Sequence, residues 1–107
     1  TVGELIDGIK YYIDIAQKRG LKVYLGTLLP IYGWRTYAQF REDMRNEFNE
    51  WIRNQSDCGV VDFDKALRDK RNKYAFADGY DSGDHLHPSE EAYKKMAETA
   101  FKIIVGG

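Results

Sequence analysis

Apolar residues return every three or four positions at the start of the chain: Leu5, Ile9, Tyr12, Ile13 and Ala16. That spacing places them on one face of a helix. Thr1 and Glu4 stand in capping-box register and Gly20 is a natural stop, so a helix is predicted over 2–19. The run "LKVYLGTLLP" follows, closed by Pro30, and predicts a buried parallel strand near 21–27. A second helix is predicted over 38–54, with Phe40, Met44, Phe48, Trp51 and Ile52 on one face. Its charged residues, Arg41, Glu42, Asp43, Arg45 and Glu47, are assigned largely to the other side of the turn.

"GVVDFD", Gly59 to Asp64, predicts a second short strand, centred on 60–64. A polar, glycine-punctuated segment then runs to Asp84 without a regular pattern. Ser89 is placed to cap a last helix, with Glu90 and Glu91 near its positive end and an apolar stripe of Tyr93, Met96, Ala97, Ala100, Phe101 and Ile104. The order α-β-α-β-α predicts an α/β fold, a parallel sheet with helices on both faces. Two strands are too few for such a sheet, since buried strands need neighbours on both sides. The expectation is therefore the second half of a single α/β domain occupying residues 1–107.

Composition adds little to this picture: 107 residues, 43% apolar and 31% charged, fit one small globular domain. A net charge of −1 gives no general reason to expect nucleic acid or an anionic membrane as a partner. The basic run "KALRDKRNK" has no interleaved aromatics to stack bases and reads as a solvated turn or short helix. No apolar run approaches the ~18–20 residues of a membrane span. Cys58 is alone, which rules out an internal disulfide and leaves both secreted and cytoplasmic locations open. With no base or helix start beside it, it reads as an inert thiol. The opening "TVGEL", without methionine, reads like an excised piece.

The chemistry concentrates in "YDSGDHLHPSEE", Tyr80 to Glu91, which holds both histidines. Asp84 and His87 are three residues apart, so the two side chains can meet within one turn. A carboxylate that fixes a histidine's tautomer is half of a nucleophilic catalytic apparatus. The same stretch admits two other readings: an ordinary polar loop, or a metal site using Asp81, Asp84, His85 and His87. In an open parallel sheet ligands bind beyond the carboxyl ends of the strands. "TLLP" (Thr27–Pro30), the Asp62–Asp64 strand end and the Asp84–His87 loop should converge there. Asp62 and Asp64 themselves read as capping or hydrogen-bonding groups, and Trp51 as core.

"DSGDHLHPSEEAYKKMA" resembles the last sequence block of the SGNH, or GDSL-type, serine hydrolases, which reads D-x-x-H-P before a helix. The stretches from Thr1 to Pro30 and from Asn46 to Asp69 resemble, in order, the preceding helix–strand blocks of that family. The resemblance implies a three-layer α/β/α, flavodoxin-like parallel sheet and an ester hydrolase working through an acyl-serine, with no metal or organic cofactor. It makes His87 the general base and Asp84 its orienting carboxylate, with Leu86 and Pro88 shaping the turn, and it gives His85 no required role. The implied partner is an ester: an acetylated carbohydrate, a short acyl ester or a lipid. Leu29, Pro30, Tyr32 and Trp34, in and after "TLLP", are candidates to line the substrate pocket.

The departures are informative. The family's nucleophile sits in a G-D-S motif after the first strand, and its oxyanion hole adds a glycine and the asparagine of a G-x-N-D block. This chain has only Ser56, Ser82 and Ser89, none in that setting, and neither oxyanion block. The expectation is that the nucleophile belongs to an absent N-terminal half, and that residues 1–107 alone are inactive, covering their open face with that half or a second copy. The competing class is non-enzymatic, an assembly or binding unit.

Overall fold

A computed structural model describes residues 1–106. Helix α1, Val2–Lys18, begins where the sequence predicts: Thr1 Oγ1 accepts the Glu4 N–H at 3.2 Å. It ends before Gly20, whose φ of 75° turns the chain towards the first strand. Strand β1, Tyr24–Gly26, and strand β2, Gly59–Val61, pair in parallel, with Leu25 opposite Val60. Between them runs α2, Gln39–Arg53. Leu25 and Val60 pack with Ile6 and Ile9 of α1 and with Phe48, Trp51 and Ile52 of α2, forming one face of the sheet. Helix α4, Glu90–Gly106, packs against β2 and the short helix α3, Phe63–Leu67. There Leu67, Phe76 and Ala92 form a second core, joined by Leu29, Tyr80 and Met96.

Three sequence expectations change. "GVVDFD" leaves the sheet after Val61, because the Asp62 carboxylate accepts the Lys65 N–H (3.1 Å) and starts α3 in what was expected to be strand. Helix α2 buries part of its charged set: Glu42 is 1% exposed and Arg45 4%. The stripe predicted on α4 is only partly covered. Ala92 and Met96 turn inward, while Tyr93, Phe101 and Ile104 remain exposed, since a two-stranded sheet cannot underlie a 17-residue helix. No helix among the described residues is long and apolar enough to cross a membrane.

Candidate active site

The loop ahead of α4 is closed at its base by an antiparallel bridge between Asp81 and Pro88. The Ser89 N–H donates to the Tyr80 carbonyl (2.9 Å), and the Ser82 N–H to the His87 carbonyl (3.1 Å). Ser89 then caps α4: its Oγ accepts the Ala92 N–H at 3.1 Å and donates to the Gly79 carbonyl. A stapled base of this kind holds the loop interior to one shape.

Inside the loop, Asp84 Oδ1 accepts the N–H groups of Leu86 (2.9 Å) and His87 (2.8 Å) and the Ser82 hydroxyl (3.1 Å). Its Oδ2 is left for His87 Nδ1, 2.5 Å away. The His87 hydrogen bond, reinforced by those backbone donors, holds the Asp84 carboxyl well below the usual carboxylate range. An ionised acceptor at Nδ1 places the ring proton there and leaves the Nε2 lone pair free to take a proton. His85 has its own partner: its Nδ1 lies 2.5 Å from Asp81 Oδ2. The four residues of the metal reading thus divide into two Asp–His pairs. Among the described residues no group of three or more His, Cys, Asp or Glu side chains is placed to hold a metal ion.

Leu86, between the two histidines, faces a cavity of about 510 Å³. Leu29 and Trp34 also line it, with Leu28, Ile31 and Phe40, so the loop after β1 and the Asp84–His87 turn meet at the carboxyl end of the sheet. The other two expected lining residues lie elsewhere. Pro30 is fully buried, and Tyr32 faces a second, more polar cavity of about 450 Å³ together with His85, Asn72 and Asp78.

The carboxyl ends of the strands are tied together by groups the periodicity alone does not reveal. Buried Thr27 donates its hydroxyl to Asp62 (3.1 Å) and accepts the Asp64 N–H (2.9 Å). The Asn49 amide clamps the Leu28 backbone, accepting its N–H (2.7 Å) and donating to its carbonyl (3.0 Å). Arg45 bridges Glu42 (2.8 Å) and Asp64 (2.7 Å), and Arg53 reaches both Asp62 and Asp64 at 2.8 Å. Partial burial pushes the Asp62 carboxyl up, but the Arg53 guanidinium and the Lys65 N–H outweigh it and leave it below its ordinary range. Burial, then the Glu42 carboxylate that accepts its hydrogen bond, pushes the Tyr37 hydroxyl up to about 12. The signal for this cluster was the Glu42, Arg45, Asn49, Ile52 spacing, which shares a face with Phe48.

No serine of the chain is hydrogen-bonded to His87 Nε2. Ser82 is hydrogen-bonded to Asp84, Ser89 to Gly79, and Ser56 lies in the turn before β2, at the amino end of the sheet. Burial, and then Asp57, raises the Cys58 thiol above its ordinary range.

The family described as GDSL-like lipase/acylhydrolase matches residues 4–100. Three solved structures share the fold. A protein assigned to the lipolytic G-D-S-L family from Desulfitobacterium hafniense superposes with a TM-score of 0.80 and 24% identity, over 97% of this chain and 56% of its own. A protein assigned as an acylhydrolase from Bacteroides fragilis gives 0.74 and 18%, over 99% and 52%. A GDSL-like lipase from Bacteroides thetaiotaomicron gives 0.75 and 16%, over 99% and 53%. The chain therefore spans little more than half the length of each. No curated protein matches the chain in sequence.

Proposed function

From the premise that the chain belongs to the GDSL-like lipase/acylhydrolase family, we propose that it supplies the Asp–His part of a serine-dependent carboxylic-ester hydrolase. The observation that carries this reading is the Asp84–His87 contact of 2.5 Å, with Nε2 left unpartnered and the adjacent Leu86 lining a cavity shared with Leu29 and Trp34. The nucleophilic serine and the oxyanion donors come from the part of the domain that the longer relatives possess and these residues do not span.

In this mechanism His87 Nε2 removes the hydroxyl proton as the serine oxygen attacks the ester carbonyl. The tetrahedral intermediate collapses, the carbon–oxygen bond to the alcohol breaks, and the alcohol leaves with the proton carried on Nε2. His87 next takes a proton from water as the water oxygen attacks the acyl-serine carbonyl. The carbon–oxygen bond to serine then breaks, the proton on Nε2 passes to the serine oxygen, and the acid leaves with the serine restored. Asp84 stays ionised throughout, holding the proton at Nδ1 and stabilising the imidazolium. Leu29, Trp34 and Leu86 hold the apolar part of the acyl group. Pro30 acts only by shaping the loop, and Tyr32 belongs to the polar side. Acetylated carbohydrates, short acyl esters and lipids all present the required bond.

The test is hydrolysis of p-nitrophenyl acetate by the complete gene product. Turnover that falls about a thousandfold or more in His87→Ala, with unchanged folding, is the expected result. Undiminished turnover in that variant removes His87 from the mechanism. An inert complete protein removes the hydrolase reading.

A further inference from the structure

The proposed chemistry leaves the second Asp–His pair of the same loop unexplained. Asp81 Oδ1 accepts the N–H groups of Gly83 (2.8 Å) and His85 (2.9 Å), while Oδ2 holds His85 Nδ1. His85 is also the only non-glycine residue at positive φ among the described residues, at 60°. That conformation is unfavourable for any side chain with a Cβ and free for glycine, so its occupation by histidine needs a reason.

The imidazole supplies one by its position. It sits over Gly33, so closely that a Cβ there would meet His85 Cγ at 3.1 Å and Nδ1 at 3.3 Å. Gly33 has its own positive φ of 90°, in the loop that follows β1. The residues flanking this contact divide to its two sides. Trp34 and Leu86 line the apolar cavity, whereas Tyr32 and His85 line the polar one. The His85–Gly33 contact thus lies on the polar cavity, its chain neighbours Trp34 and Leu86 line the apolar one, and it stands two residues from the proposed general base.

We propose that His85, held by Asp81 and seated on Gly33, is a positioning residue. It locks the loop bearing Asp84 and His87 to the 31–34 loop, and so fixes where His87 Nε2 and Leu86 stand relative to the acyl group. The locking rests on geometry alone. Its effect on turnover rests on the reading of His87 as the base.

The experiment compares His85→Gly, Gly33→Ala and the double variant in the complete gene product, by ester kinetics and by backbone amide NMR. His85→Gly removes the ring and relaxes the backbone, so thermal stability should not fall. Its kcat should drop about 10- to 100-fold, the scale of a small misplacement of a reacting group, while KM changes less than twofold. Amide signals of residues 31–34 should shift although they lie some fifty positions away. The kcat loss of Gly33→Ala should be smaller when His85→Gly removes the ring that the new methyl meets. Unchanged 31–34 signals in His85→Gly, or strictly multiplicative losses in the double variant, overturn the proposal. If the complete protein hydrolyses no ester, the amide shifts still decide whether the loops are locked.

Discussion

Asp84 divides its two oxygens between two tasks: one closes the turn through backbone donors, the other holds the histidine. An asparagine there can keep the first task but presents an amide donor, or a weaker neutral acceptor, to Nδ1. Asp84→Asn in the complete protein should therefore keep its fold and lose about 10³- to 10⁴-fold in kcat, the scale of a wrong tautomer. The same variant tests the depressed Asp84 pKa. A carboxyl that is more acidic folded than unfolded adds stability above its unfolded pKa of about 4, and that stability is lost as pH falls towards the folded value. The stability difference between wild type and Asp84→Asn should be level from neutrality to about pH 4 and shrink below it, read by thermal unfolding against pH. The pair was legible in the sequence because its members are three residues apart and one turn suffices to join them. His85 was not, because its role depends on Gly33, a contact that only the folded loops create.

The helices were legible from periodicity and caps, since each is long enough for a pattern to repeat. The strands were legible in position and direction but not in length, because the Asp62 cap, a side-chain event, ends the second one early. The polar face of α2 was misread for a similar reason. Glu42 and Arg45 look like solvent-facing charges until Asp64 and the Leu28 carbonyl arrive from distant chain. These contacts anchor α2 to the carboxyl ends of both strands, which gives a prediction at this scale. Arg45→Met leaves the buried Glu42 and Asp64 carboxylates short of a partner and should destabilise the complete protein by about 3–5 kcal/mol. Asn49→Leu leaves the Leu28 N–H without its acceptor and its carbonyl with Arg45 alone, and should cost about 1–3 kcal/mol. Lys18→Ala breaks only an exposed pair with Asp14 and should fall within about 0.5 kcal/mol. Denaturant midpoints of the three variants give the ranking, and an Arg45→Met protein as stable as Lys18→Ala would contradict the anchoring role.

The molecule as a whole is a slab of 41 × 32 × 19 Å with a radius of gyration of 14.6 Å. A compact domain of this length has a radius near ~13 Å. Its accessible surface is 7235 Å², against about 6,100 Å² for a compact monomer of 12.4 kDa. The excess is apolar in large part, because among the described residues thirteen large hydrophobic side chains are exposed while seven apolar ones are buried. Each strand has one unpaired edge, a template for further pairing. The solved relatives run to nearly twice this length, and their remaining half is the occupant we propose for the uncovered α4 face and the sheet edges. Residues 1–107 made alone should then self-associate in sedimentation and show no ester turnover above a comparable histidine-bearing protein. Adding the separately made nucleophile-bearing half, co-refolded, should give a 1:1 complex with ester turnover. Phe101→Lys with Ile104→Lys should reduce the self-association of the isolated chain and weaken that complex, because both residues lie on the same exposed face. A stable, cooperatively unfolding monomer of residues 1–107 that ignores the added half would show that these faces need no cover. A dimer that persists after the addition would assign them to a second copy instead.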